Sequence, residues 1–377
     1  MKKLLALMLV VAMSFSLVSL SACSDGDSQG NSAPPSSGSP ASNGNTESDD
    51  TVYTLIASTH TPGTTEATIV FQKVLDEITA RSNGRIQFEV YTDGTLAAAD
   101  GILEALESGI ADVAMVNYSR QAGRMDLVGV CTNPGLYTNS WEGTQALMEL
   151  YDTVPAMQEE LDAVGLHLMG IQLGTQSVVI SKTPVNDITD LAGLRVVSGT
   201  SATDQILLAL GATPLGFSNT DAYEALSKGT ADAIVSNSLS GAAGFGIQEV
   251  AKYVFDLGLG AGPLLYCISD AAYNRLPEDL QAIIDEVYRD YVADVVYTDY
   301  VLEQNKDVTA LETFEQAGAT IVEPTQEQID TFQTEYAAPV YDEWVESLES
   351  SGHAEAREVL DTFIELCNKH AGTCTLG

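Results

Sequence analysis

Glu104-Ala105-Leu106-Glu107-Ser108-Gly109-Ile110-Ala111-Asp112-Val113-Ala114-Met115-Val116-Asn117 is the stretch that decides how this chain is read. Ile102, Leu103 and Leu106 fall at helical spacing within a helix predicted from Ala98 to Ser108. Gly109 stops that helix, because glycine enters the left-handed cap without a Cβ penalty. Val113 to Val116 is an unbroken apolar run, as a parallel strand buried on both faces requires. The unit is helix, glycine stop, Ala-Asp turn, buried strand, then an amide side chain.

The same unit returns. Glu224-Ala225-Leu226-Ser227-Lys228-Gly229-Thr230-Ala231-Asp232-Ala233-Ile234-Val235-Ser236-Asn237 lies 120 positions downstream and is identical at seven of fourteen positions. Two copies are too few for a solenoid. Around the first copy, Tyr53–Ala57 reads as a strand and Glu66–Arg81 as a helix closed by Asn83-Gly84. Ile86, Phe88 and Val90 alternate as a second strand. That order, β-α-β-α-β, opens a doubly wound sheet. Around the second copy, Leu194–Val197 is a strand, Asp204–Leu210 a helix, Ala212–Phe217 extended, and Thr220–Ser227 a helix. About 325 residues follow Val52, more than one core comfortably holds, so two α/β lobes are expected. Pro277–Gly318 carries one continuous helical pattern, read as a brace. Ala319–Val322 is a strand candidate, and Thr325–His370 is helical again.

The N-terminus has a different character. Lys2 and Lys3 precede an apolar run, Leu4–Leu20, and then small residues before Cys23, the pattern of an export signal. Leu20-Ser21-Ala22-Cys23 resembles the bacterial lipoprotein box, which implies cleavage before Cys23 and lipid on its sulfur. Ser24–Asp50 has no aromatic and no aliphatic larger than alanine. Such a segment buries too little apolar surface to offset ordering entropy, and reads as a tether reaching roughly 30 Å.

A formal charge of −37 argues against nucleic-acid binding. Of five cysteines, Cys367 and Cys374 are close enough in sequence to staple the C-terminal end, with Cys131 and Cys267 as a weaker second pair. His370 beside Cys367 and Cys374 is too little for zinc, and no metal or cofactor is expected. Enzyme templates fail. There is no phosphate loop of the Gly-x-x-x-x-Gly-Lys type and no Gly-x-Ser-x-Gly elbow, and His60, His167, His353 and His370 are scattered. Gly258-Leu259-Gly260-Ala261-Gly262 leads into a strand instead of a helix and reads as a flexible crossing. The chain is therefore read as a non-enzyme.

In open α/β sheets ligands sit at the carboxyl ends of strands. Those ends carry His60, Asn117, Tyr118, Ser198, Ser236 and Asn237, neutral donors and acceptors suited to a small polar ligand. For each, a turn residue bonding its own backbone is the competing reading.

Together the motifs resemble the extracytoplasmic solute receptors of TRAP transporters, the dicarboxylate-receptor (DctP-like) type. The resemblance rests on Ser82-Asn83-Gly84-Arg85-Ile86 with Val90-Tyr91, Ile102 to Asp112, Ser181-Lys182-Thr183-Pro184-Val185, and Asp190 to Val196. Leu210-Gly211-Ala212-Thr213-Pro214, Tyr223-Glu224-Ala225-Leu226, Glu249 to Tyr253 and Leu276 to Gln281 complete it. It spans about Val52–Val322. It implies a two-lobed periplasmic-binding-protein-like fold (type II) with doubly wound sheets, a hinge, a long bracing helix and C-terminal helices. Residues 1–22 are then signal and 23–51 tether. Residues 52–172 form lobe 1, with about 262–300 returning to it, and 173–261 lobe 2, with about 301–324 returning. Residues 325–377 are C-terminal helices. It also implies small and large integral-membrane TRAP subunits as partners, and an organic acid clamped by an arginine.

Here the sequence departs from the family. Val197 stands where the clamp arginine belongs, and Gln176 where a second basic residue does. Arg195, on the same strand face as Val197, is expected to face solvent. A desolvated carboxylate without a charge partner is costly. The expected ligand is therefore neutral or zwitterionic, or an acid held by amides, backbone N–H groups or Arg124. Phe217 is expected against the ligand; Tyr137 and Trp141, like Tyr118, are candidates that double as core. The alternative function is a sensor module presenting the same ligand to a signalling partner.

Overall fold

The structure, a computed structural model, describes residues 51–373 apart from 122, 138, 200, 218 and 237. Cys23, Asn237 and Cys374 lie outside the described residues, as do the signal and nearly all of the tether.

Two sheets organise residues 50–377. Lobe 1 begins with β1 (Tyr53–Ser58), α1 (Glu66–Arg81), β2 (Ile86–Tyr91), α2 (Ile102–Glu107) and β3 (Val113–Asn117). It continues with α3 (Ser140–Thr153), α4 (Pro155–Ala163) and β4 (Leu166–Leu173). Helix α1 forms where the apolar spacing places it. Thr65 caps it by accepting from the Thr68 N–H, and Val70, Phe71, Val74, Leu75 and Ile78 face the core. Asn83 and Gly84, both at positive φ, end it.

Lobe 2 holds β5 (Val178–Ser181), β6 (Arg195–Val197), α5 (Ser201–Ala209), β7 (Thr213–Leu215), α6 (Asn219–Ser227), β8 (Ala233–Ser236), α7 (Leu239–Gly244) and β9 (Tyr253–Phe255). The chain then returns to lobe 1 through β10 (Pro263–Ser269), α8 (Asp270–Tyr273) and α9 (Glu278–Asp290), and crosses again along α10 (Val292–Gln316) to β11 (Thr320–Val322). The strand orders are β2-β1-β3-β10-β4 and β11-β9-β5-β8-β6-β7. Each sheet pairs parallel strands of its own unit with an antiparallel strand from elsewhere: β10 beside β3, and β5 beside β8.

The apolar core is continuous across the lobes. One cluster runs from Leu55, Phe71 and Tyr266 to the α5 side of lobe 2, including Val196, Ile206 and Leu207. A second lies on the opposite face of lobe 2, with Val178, Val197, Leu226 and Phe314.

The single helical pattern over 277–318 resolves into α9 and α10, which meet at Tyr291, where φ is −117°. No proline or glycine marks the break. It lets α9 pack on α1 and β4 of lobe 1 while α10 touches α1 and α3 at one end and α7 of lobe 2 at the other. The 25 residues of α10 span about 37 Å, so α10 is the brace. The C-terminal region is likewise broken, into α11 (Gln326–Thr331), a π-helical turn (Phe332–Ala337), α12 (Ala338–Ser351) and α13 (Ala356–His370). Helix α13 packs on α3, and α12 reaches α5.

The expected pairing of Cys131 with Cys267 is corrected: both are buried free thiols, as is Cys367. Cys267 lies on β10, whereas Cys131 sits in a 3-10 segment (Leu127–Thr132) that packs against α13. His370 meets a carboxylate instead of a metal set, with Nε2 at 2.9 Å from Glu149 Oε2.

Candidate ligand-binding cleft

The strand register fixes where the two carboxyl edges lie. Asn117, at the end of β3, pairs with Leu264 at the start of β10, and Leu173, the end of β4, pairs with Pro263. On the other sheet Ser236, the end of β8, pairs with Val178 at the start of β5. The crossing 174–177 therefore enters lobe 2 beside the tip of β8, and the crossing 256–262 runs back to enter lobe 1 beside the tip of β3. Both carboxyl edges meet the hinge.

The hinge is a hydrogen-bonded ribbon and not a loose crossing. Gly174 N–H donates to Gly262 O at 3.3 Å, Ser177 N–H to Gly260 O at 3.3 Å, and Leu259 N–H to Ser177 O at 3.2 Å. Its glycines serve geometry. Gly260 has φ +80°, and a Cβ there would stand 2.6 Å from Thr132 O. Gln176 pins the ribbon: its Nε2 donates to Tyr137 O at 3.1 Å, and its Oε1 accepts from Gly260 N–H at 2.8 Å. The Tyr137 hydroxyl accepts from Ala261 N–H at 3.1 Å and lies 3.0 Å from Cys131 O. Beside the ribbon is a cavity of about 460 Å³, lined among others by Tyr137, Gln176, Val178, Leu257, Phe332 and Gln333. That volume lies within the range of small-molecule sites.

Of the sequence-predicted residues, Gln176 and Tyr137 line this cavity. The others sit at the strand tips, in differing states. Asn117 is half-buried, and its Oδ1 accepts from Ser119 N–H at 3.0 Å and Ser119 Oγ at 2.7 Å. Its carbonyl thus closes a turn of its own backbone. Tyr118 is turned into the core, where burial raises its phenol pKa. A Cβ at Gly129 would overlap its hydroxyl, so the side-chain-free 129 position is what admits the ring. Ser236 is buried and donates to Ser238 O at 3.0 Å, and Ser198 is buried at the end of β6. Phe217, just past β7, is 38% exposed, an open aromatic face at a strand tip. His60 is half-buried, and its Nδ1 is inaccessible without a hydrogen bond among the described residues. Burial, and then the charge of Arg120, lower its pKa, so the ring is neutral at pH 7.

The arginines named from sequence are committed elsewhere. Arg195 Nε donates to Asp232 Oδ2 at 2.9 Å, and its Nη2 donates to Asp232 Oδ1 at 2.8 Å and to Gly229 O at 2.7 Å. This is the base of β6, away from its carboxyl tip. Arg124 pairs with Glu107 and Glu104. Val197, where the resemblance places the clamp, is buried. Sequence reasoning passed over Arg120, whose only signal was its place three residues beyond Asn117.

Two sheets whose carboxyl edges meet a double crossing define a two-lobed binding-protein fold. The chain belongs to the bacterial extracellular solute-binding proteins, family 7 (DctP), whose model matches residues 56–347. It is 24% identical over 267 residues to a solute-binding protein of Albidiferax ferrireducens, covering 68% of this chain and 75% of that one. Among solved structures it is similar to a TRAP periplasmic solute-binding protein from Desulfovibrio salexigens, with a TM-score of 0.74 and 21% identity over 86% of this chain and 98% of that one. A TRAP solute-binding protein from Rhodoferax ferrireducens, in complex with copurified benzoate, gives a TM-score of 0.69 and 23% identity over 85% and 98%. No helix of the described residues is long and apolar enough to cross a membrane.

Proposed function

We propose that this chain is the receptor of a TRAP-type transporter, binding a small organic acid with an apolar body by lobe closure and handing it to a pair of membrane subunits. The observation that carries this is the register. Asn117 on one sheet and Ser236 on the other both abut the hinge, so the strand tips flank one gap that can close on a guest. Closure is favoured by whatever binds the closed state better than the open one. His60 and Asn117 offer polar contacts, and Phe217 offers a face for stacking. An acid fits the benzoate found in the Rhodoferax relative. It needs a positive partner that neither Val197 nor Gln176 supplies. Cys23 would carry a lipid holding the receptor at the outer face of the membrane; metabolic labelling with palmitate, lost in Cys23→Ser, tests that anchor.

The binding test is native mass spectrometry of the purified protein, followed by thermal shift with a panel of carboxylates. A ligand at a hundred times its Kd stabilises by about 2.7 kcal/mol, a shift of several degrees. A protein that copurifies with nothing and responds to no small acid, sugar acid or neutral metabolite is not such a receptor.

A further inference from the structure

We propose that Arg120 is the charged anchor for the ligand's carboxylate, so that the clamp sits on lobe 1 instead of lobe 2. This rests on the receptor reading above and adds the residue and ligand charge that it leaves open.

The chain has eight arginines. Six are held by a carboxylate at short range: Arg81 by Glu77 and Asp290, Arg85 by Asp279, Arg124 by Glu107, Arg195 by Asp232, Arg275 by Asp112 and Arg357 by Asp342. Arg289 lies in the last turn of α9, on the flank of lobe 1. Arg120 differs. Its nearest carboxylate, Asp100, is 3.9 Å away, and its side chain is 60% exposed. Only Arg289, with no ion pair among the described residues, is held as loosely, and it lies in the last turn of α9 instead of beyond a strand tip.

Its place gives it a use. It ends the 3-10 turn Tyr118–Arg120 that Asn117 caps, directly beyond β3. The neighbouring Gln121 Nε2 donates to Ala99 O at 2.8 Å, so the backbone that carries Arg120 is fixed. Its charge reaches His60, at the tip of the adjacent strand β1, and counts there in lowering the imidazole's pKa, second to burial. His60 Nδ1 and Ser58 Oγ are buried on that tip without a hydrogen bond among the described residues. Arg120 and His60 thus follow the ends of two neighbouring strands, β3 and β1, with the Ser58 hydroxyl two residues before His60. A carboxylate would take the bidentate face of Arg120 and displace the weak Asp100 contact. Lobe 2 contributes Ser198 and the exposed ring of Phe217 at its tips. The ligand is then a monocarboxylate with an apolar or aromatic body that docks on lobe 1 first.

The test uses matched probes: benzoate against benzamide, and 3-hydroxybenzoate against 3-hydroxybenzamide, by calorimetry on wild type, Arg120→Gln and Arg120→Lys. Wild type should prefer each acid to its amide. Arg120→Gln should lose about tenfold or more in acid affinity and most of that preference, and Arg120→Lys should recover part. Arg195→Gln and Arg124→Gln should change neither. Far-UV circular dichroism and melting of Arg120→Gln should match wild type, since the residue is exposed. Undiminished acid binding by Arg120→Gln, or wild type preferring the amides, overturns the anchor and leaves the receptor standing. If wild type binds no probe, the guest carried from the cell decides by native mass spectrometry. An anionic guest lost in Arg120→Gln supports the anchor, an uncharged or retained guest overturns it, and no guest at all counts against the receptor itself.

Discussion

The repeated units of the two lobes can be laid residue on residue. At the base they agree. Gly109 and Gly229 take φ of +73° and +71°. Asp112 Oδ2 accepts from Ile56 N–H at 2.9 Å on the neighbouring parallel strand, and Asp232 Oδ2 accepts from Arg195 N–H at 3.0 Å. Both aspartates also donate their own N–H to the carbonyl of that same neighbour, at 2.8 Å each. Each carboxylate is then closed by an arginine, from the returning chain in lobe 1 (Arg275) and from the adjacent strand in lobe 2 (Arg195). At the tips they diverge. Lobe 1 ends in His60, Asn117 and Arg120, and lobe 2 in Val197, Ser198, Ser236 and Phe217. Apart from Asn117, whose residue type the second unit repeats in its sequence, the shared residues build the base of each sheet and the differing ones lie at its strand ends. The comparison also explains why Arg195 is no clamp: it is the lock of its own unit.

The aspartates should give the largest effects, and unequal ones. The Asp112 side chain is 11% exposed and that of Asp232 28%. Asp112→Asn should cost about 2 kcal/mol of unfolding free energy, by leaving a half-buried N–H and an arginine poorly matched. Asp232→Asn should cost about 1 kcal/mol, because water reaches it more easily. Urea melts at pH 7 measure both. Equal and negligible losses would mean that the shared base is incidental to the sheets.

pH sharpens the lobe 2 case. The Arg195 hydrogen bond holds the Asp232 pKa below its ordinary value, against an opposing contribution from burial. A lowered folded pKa stabilises the protein above the usual carboxylate range, and that share is lost as pH falls through the lowered value. The gap between wild type and Asp232→Asn should therefore be full at pH 5–7 and shrink below about pH 4. A gap that stays constant down to pH 2 would assign the effect to shape instead of charge.

The base was legible in the sequence because its signals are local: a glycine at a helix end, an aspartate three residues later in the turn, and an apolar run. Helix α1 was legible for the same reason. What escaped depends on distant partners. Gln176 reads as a ligand residue until Gly260, 84 positions away, takes its Oε1. Tyr118 reads as a strand-tip aromatic until the absent side chain at Gly129 opens the core to it. The break at Tyr291 has no local cause, since only the separate partners of α9 and α10 require it. Strand β4, buried almost throughout, becomes a strand by pairing with β10, about a hundred residues on. Arg120 shows the same limit. Its meaning lies in which other arginines are engaged, and pairwise proximity of that kind is not written in spacing.

The glycines should behave alike across the two units. A Cβ at Gly109 meets nothing within 4 Å, and at Gly229 meets only Lys182 Nζ at 3.9 Å. With space available in both, Ala costs only the left-handed backbone, about 1 kcal/mol each. Gly109→Ala and Gly229→Ala should therefore melt together within a degree or two. A large difference would show that one unit carries strain that the other does not.

The smallest stability change belongs to the tips, and there the units part. Phe217 is exposed at the end of β7 and supports no core cluster. Phe217→Ala should leave the melting temperature of the empty protein unchanged within about 0.5 kcal/mol. If the ring stacks on a guest, the same substitution should weaken an aromatic acid by about 1 kcal/mol, roughly fivefold, and an aliphatic acid of similar size by less. Calorimetry with benzoate and with hexanoate separates the two. A loss equal for both acids would mean that Phe217 shapes the closed lobe instead of touching the guest. No loss for either would place the guest nearer the hinge, in the cavity that Gln176 lines, and would shift the working tips of lobe 2 from β7 to β5 and β9.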